Sequence, residues 1–219
     1  NILQKLFENN NNKKLRIKSL HLTHSSLTSI SFLNDYIKFD TLENFNCSDN
    51  NLIFIGIKLD FKSILSLNCS SNRIPILDSI IKSVGIKNNL TTLILENCNL
   101  LSIEGIETFY NLQKLILKNN KLYNISELSF LKELEYLDFS SNNITNINAL
   151  EGLYNLSTLI FSQNNISNIS CLYGLTKIRH LDISMNKKII SLTGVQNMKM
   201  LECIICDFCG IYSLIELQG

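Results

Sequence analysis

LDFSSNNITNIN at residues 137–148 and LIFSQNNISNIS at residues 159–170 agree at eight of twelve positions, and the two stretches lie 22 residues apart. Self-similarity at a fixed short interval marks a chain built from stacked structural units, so the interval has to be traced outward first. Taking Asn142 and Asn164 as anchors, the same register reaches Asn50, Asn72, Asn120 and Asn186, with Ser25, Cys98 and Cys209 where further anchors fall. Those are nine repeats.

Five residues before the anchors stand Leu20, Phe45, Leu67, Leu93, Leu115, Leu137, Leu159, Leu181 and Ile204. Three before stand Leu22, Cys47, Cys69, Leu95, Leu117, Phe139, Phe161, Ile183 and Cys206. A third apolar column, from Ile17 to Leu201, lies eight before, and apolar residues recur near two, five, eight and eleven after. The alternation ahead of the anchor is that of a strand with one buried face. The spacing of about three behind it, as in Ile144, Ile147, Leu150 and Leu153, suits 3-10 or short helical turns.

A coil of 22 residues is too short to enclose a core alone. Stacked coils share one apolar interior and pair their strands into a parallel ladder, giving a sheet ~40 Å wide at ~4.8 Å per strand. The anchor asparagine belongs where the chain leaves the strand, because its amide offers two donors and an acceptor to backbone groups of its own and neighbouring turns. Cys98, Cys209 and Ser25 fit the space but bond less completely.

The pattern L-x-x-L-x-L-x-x-(N/C)-x-L over residues 17 to 217 resembles the leucine-rich-repeat superfamily. The resemblance implies an α/β solenoid, a horseshoe with a parallel β-sheet on the concave face and 3-10 or short helical turns on the convex face. Units such as NNITNINALEGLYNLSTL look like the short 22-residue class shared by the eukaryotic leucine-rich-repeat regulators of type-one protein phosphatase and, less closely, the bacterial internalins. The phosphatase likeness implies a non-catalytic subunit gripping its enzyme with the concave face, at Tyr136, Asp138, His180 and Asp182. The internalin likeness implies the alternative, a secreted adhesion or host-interaction protein. A third reading is the recognition region of a larger multidomain protein.

Two steps exceed the period: Ser25 to Asn50 is 25 residues and Asn72 to Cys98 is 26, and SIIKSVGIK at 79–87 is expected to spend the excess on a fuller α-turn. The last step, to Cys209, is 23, with Ile189 one place late. Residues 1–16 form an expected cap helix or the remnant of a preceding repeat, with Ile2, Leu3, Leu6 and Phe7 on one face. Residues 17–219 hold the nine repeats, and no capping segment is legible after Leu217, so the native protein is expected to continue.

The net charge of +1 with interspersed signs gives no basic footprint for nucleic acid and no polybasic patch for a membrane. The longest apolar run, LIFIGI at 52–57, is far below a spanning length. The C-x2-C-x2-C run at 203–209 superficially suits a metal, but the register sends Cys206 and Cys209 inward and Cys203 outward. His21 and His24 stand seven repeats from His180, and no phosphate loop, nucleophile elbow or paired carboxylates are present. The expectation is no enzyme, no cofactor and no metal. Eight Asn-x-Ser/Thr sequons, two of them at Asn46 and Asn68 on the concave face, follow from asparagine-rich repeats rather than from glycosylation. The absence of flanking cysteine clusters favours a reducing, intracellular compartment, cytoplasm or nucleus.

A protein partner is therefore expected on the outward strand positions, with neither nucleic acid nor membrane involved. The N-terminal third of that face is small and polar. The rest mixes Ile94, Ile116, Ile160 and Ile205 with Tyr136, Asp138, His180, Asp182 and Phe208, which become the candidate contact residues. A monomer is expected unless the uncapped C-terminal end self-associates.

Overall fold

The computed structural model describes residues 2–11, 13–57, 63–81 and 89–214. Among the described residues nine strands form where the period places an outward–inward–outward triplet, and two strands of two residues form outside it. In chain order they are β1 (Leu15–Arg16), β2 (Ser19–His21), β3 (Ile37–Lys38), β4 (Asn44–Asn46), β5 (Ser66–Asn68), β6 (Thr92–Ile94), β7 (Lys114–Ile116), β8 (Tyr136–Asp138), β9 (Thr158–Ile160), β10 (His180–Asp182) and β11 (Cys203–Ile205).

Nine of them, β2 and β4 to β11, line up side by side in sequence order as one parallel sheet. The register joins equivalent positions of successive repeats, so that Leu137 faces Leu159 and Leu159 faces Leu181. A one-residue slip would turn every inward side chain to solvent. Leu67, Leu93, Leu115, Leu137 and Leu159 are completely buried. Phe139 and Phe161 stack in adjacent coils with ring centroids 5.7 Å apart.

On the convex side the apolar spacing of three produces 3-10 turns at Ile106–Thr108, Ser126–Phe130, Asn148–Leu150 and Ser170–Gly174. Each buries an apolar residue, Ile106, Leu128, Leu150 and Leu172 in turn. The two longer steps carry α-turns: α2 (Leu33–Tyr36), with a 3-10 turn at Phe39–Thr41 after it, in the first and α3 (Asp78–Ile81) in the second. Residues 82–88, the remainder of the second excess, lie outside the described residues, as does Leu217. Ile189 stays fully buried despite its late position.

An N-terminal helix, α1 (Ile2–Asn9), precedes the first strand. A small second sheet pairs β1 with β3 in parallel. Pairs of two residues leave no periodic trace, so this one was not legible from the repeat.

The anchors bind as the amide chemistry requires. Asn142 donates from Nδ2 to the carbonyls of Leu117 and Phe139, both at 3.0 Å, and accepts at Oδ1 from the Leu122 N–H at 3.0 Å. Asn164 repeats the arrangement with Phe139 and Phe161 at 3.1 Å each and with the Ile144 N–H at 2.9 Å. The Phe139 carbonyl thus receives two asparagines, its own and the next, and the anchors form a continuous buried ladder. Cys98 interrupts it: its thiol donates to the Cys69 carbonyl at 3.2 Å.

Immediately before every anchor the backbone is left-handed. His24, Asp49, Ser71, Asn97, Asn119, Ser141, Gln163, Met185 and Phe208 all have φ between +52° and +58°. This reversal aims the anchor inward at the end of each strand, and short polar residues tolerate it best. Met185 and Phe208 occupy it at a steric cost.

Candidate interaction surface on the concave sheet

Outward strand residues from all nine repeats form two rows along the sheet. The strand pairing brings Ile94, Ile116, Asp138, Ile160, Asp182 and Ile205 into one row. Lys114, Tyr136, Thr158, His180 and Cys203 make the neighbouring row. Eight of the nine sequence candidates therefore lie on one continuous surface. Phe208 stands off it, in the left-handed turn after β11, and is 74% exposed.

The candidates differ in what they do for the fold. Ile94, Ile116 and Ile160 are half-buried between neighbouring strands, while Ile205 on the last strand is exposed. Tyr136 lies half-buried under the Lys114 ammonium, which sits 4.8 Å from the ring centroid. Burial, then the carboxylates of Asp138 and Glu96, push the Tyr136 phenol above its usual pKa. His180 is exposed.

Asp138 turns back into the protein. It is 7% exposed, and its Oδ1 accepts from the Ser140 N–H at 2.9 Å and the Ser140 hydroxyl at 2.6 Å. Asp182 makes the same pair of bonds with Ser184, at 2.9 and 2.6 Å, but is only half-buried. Asn46 and Asn68 hold the Ser48 and Ser70 N–H groups in the equivalent turns, each at 2.9 Å. A side-chain oxygen four before the anchor thus closes the strand exit in repeats 2, 3, 6 and 8, whereas in repeat 7 Ile160 offers Ser162 none.

Between β9, β10 and β11 the sheet holds a shallow cavity of about 390 Å³, lined by Thr158, Ile160, His180, Leu181, Asp182, Cys203 and Ile205. Cys203 belongs to this wall, a role its placement in a C-x2-C-x2-C run had masked.

The cysteines of that run diverge: Cys203 is exposed, whereas Cys206 and Cys209 are half-buried, and the Cys209 thiol donates to the Ile183 carbonyl at 3.2 Å. Among the described residues no three His, Cys, Asp or Glu side chains converge as a metal site would require. Cys47 and Cys69 meet in the core with sulfurs 3.6 Å apart. Burial pushes the Cys98 thiol up to about 12 and that of Cys171 up to about 11. Such groups stay protonated at neutral pH and act as small apolar fillers. Among the described residues no helix is long and apolar enough to cross a membrane.

Residues 110–153 and 154–197 each match the family of leucine-rich repeats in two copies. None of the curated proteins matches the chain. Among solved structures the chain is similar to internalin C2 from Listeria monocytogenes, with a TM-score of 0.77 at 25% identity over 87% of this chain and 80% of that one. A leucine-rich-repeat protein of Leptospira interrogans superposes with a TM-score of 0.76 at 24% identity, over 92% of this chain and 57% of its own. The leucine-rich-repeat ectodomain of the Arabidopsis thaliana membrane receptor kinase GASSHO1/SCHENGEN3, solved in complex with CASPARIAN STRIP INTEGRITY FACTOR 2, gives 0.57 at 22% identity over 77% of this chain and 24% of that one. The fold is that of a leucine-rich-repeat solenoid, and residues 110–197 carry the sequence repeats of that family.

Proposed function

We propose that this protein is a non-catalytic scaffold or regulatory subunit that holds a protein partner on its concave sheet, across repeats 4 to 9. One observation carries the reading. Isoleucines stand on the solvent side of β6, β7, β9 and β11, where β4 and β5 present asparagine. Strand propensity alone would favour isoleucine equally in every repeat, so its confinement to one part of the sheet points to contact. That the plant receptor ectodomain of the same fold was solved in complex with CASPARIAN STRIP INTEGRITY FACTOR 2 supports a binding role.

The test is capture of binding proteins from the source cells with Ile116→Ser/Ile160→Ser, and with Tyr136→Ala, against the unaltered chain. Loss of capture in both, with folding retained, supports the reading. Equal capture removes it.

The finer reading, drawn from the repeat class, is a regulator of type-one protein phosphatase, with Tyr136, Asp138, His180 and Asp182 at the contact. It is checked directly by binding to the purified phosphatase catalytic subunit, and failure there leaves the scaffold reading standing. We place the protein in the cytoplasm or nucleus, on the support that six of its seven cysteines pack as free thiols, Cys47, Cys69 and Cys98 within the core and Cys171, Cys206 and Cys209 against it. Titration of seven free thiols in denatured, unreduced protein is the expected result.

A further inference from the structure

The C-terminal part of the concave sheet is apolar and acidic together. In repeats 6 to 9, the strands and the residues flanking them, positions 135–140, 157–162, 179–184 and 202–207, contain Glu135, Asp138, Asp182, Glu202 and Asp207 against a single guanidinium, Arg179. Arg179 is already committed to Glu202. The equivalent positions of repeats 1 to 3 carry only Lys18 and Glu43, paired at 2.9 Å. Three of the five acids, Asp182, Glu202 and Asp207, belong to repeats 8 and 9, whose strands are two of the three that hold the cavity.

That charge exceeds what the fold requires. In the strand-exit turns of repeats 2 and 3 the neutral amides of Asn46 and Asn68 accept the same N–H bond that Asp182 accepts from Ser184. Both bonds from Ser184 end on Oδ1 of Asp182, and Oδ2 takes part in neither. The carboxylate stands in the wall of the 390 Å³ cavity beside Ile160, Leu181 and Ile205. A long side chain with an apolar stem and a cationic end satisfies both features at once.

We propose that this groove takes a lysine- or arginine-bearing extended segment of the protein partner, its aliphatic stem against Ile160 and Ile205 and its cation at Asp182. The proposal rests on the concave face being the binding surface, and it adds the chemistry of what binds there. A partner charge placed among unmatched carboxylates speeds encounter and fixes register, and its contribution declines with salt.

Asp182→Asn is a clean probe, because the amide oxygen can keep the Ser184 N–H bond as Asn46 and Asn68 keep those of Ser48 and Ser70 in their own turns. Three fluorescent peptides serve as ligands: one of alternating leucine and lysine, one with norleucine for each lysine, one with glutamate for each lysine. Anisotropy should show saturable binding of the lysine peptide alone, weakened at least about fivefold by Asp182→Asn and by Ile160→Ser, and weakened progressively by added salt. Melting curves of both variants report that they fold.

Equal binding of the norleucine peptide, or indifference to Asp182→Asn, overturns the basic ligand while leaving a concave partner intact. No binding of any peptide, together with a natural partner whose capture survives Asp182→Asn, overturns it also. If capture also survives Ile116→Ser/Ile160→Ser, the concave reading itself falls. Salt-sensitive self-association lost in Asp182→Asn makes the occupant a second copy and overturns a separate partner.

Discussion

Repeats 2 and 3 and repeats 7 to 9 are built on the same skeleton and present opposite surfaces. Both bury their strand leucines or phenylalanine, both place a residue of positive φ before the anchor, and the exits of β4, β5 and β10 close with an oxygen on a serine N–H. Yet β4 and β5 show asparagine and serine outward, whereas β9 to β11 show isoleucine, histidine and aspartate. What the two regions share is what stacking demands, and what differs is free to serve a partner.

The shared skeleton is the first thing to break. Asn142→Ala leaves the buried Leu122 N–H without an acceptor and takes one of two donors from the Leu117 and Phe139 carbonyls. A buried orphaned N–H and a weakened ladder should cost about 3 kcal/mol in urea denaturation. Because each repeat touches only its neighbours, the loss should loosen repeats 5 and 6 first, read by hydrogen exchange. A small, uniform effect would mean the ladder contributes little.

The interruption of the ladder sharpens the same point from the other side. Cys98 replaces an anchor asparagine between the two regions and offers the Ile74 N–H no amide oxygen of the kind that Asn72 offers Leu52 at 2.9 Å. Its thiol is pushed up to about 12 in the folded chain from an ordinary value of 9.0. Between those values the folded state keeps a proton that the unfolded state has released, so stability is intact below about pH 9 and falls as pH rises towards 12. The fall from this thiol amounts to roughly 2–4 kcal/mol. Cys98→Asn should raise stability at pH 7 by about 1 kcal/mol and flatten the alkaline loss; an unchanged alkaline limb would place the loss elsewhere.

Much of this was legible in the sequence because period and polarity express the same requirement. Leucines at five and three before the anchor had to face one interior, and the register Leu137–Leu159–Leu181 followed. The left-handed column was not legible, since His24, Gln163, Met185 and Phe208 share no side-chain chemistry and only the backbone reversal unites them. Nor was the double role of the aspartates. An outward Asp in a strand reads as surface charge, and the serine two residues on, common to both, does not tell that Asp138 is buried while Asp182 stays partly exposed. Removing the Asp138 charge tests that geometry at smaller amplitude. Asp138→Asn should lower the Tyr136 phenol towards its ordinary value, measured by absorbance titration, while burial keeps it partly raised.

The smallest expected effect discriminates most sharply between skeleton and surface. Asp182→Asn in repeat 8 and Asn68→Asp in repeat 3 exchange the two chemistries at one structural position. An amide or a carboxylate oxygen accepts the serine N–H alike, and the hydroxyl bond that Ser184 adds to Asp182 is only part-buried, so each variant should stay within about 0.5 kcal/mol of the parent chain. Asn68→Asp should become slightly less stable as pH falls through the carboxylate range if Ser70 comes to hold the new charge as Ser184 holds Asp182. A loss of several kcal/mol in Asp182→Asn would mean that the carboxylate holds repeat 8 together; its negative charge would then be a requirement of folding, and the contrast between the two ends of the sheet would carry no message about a partner.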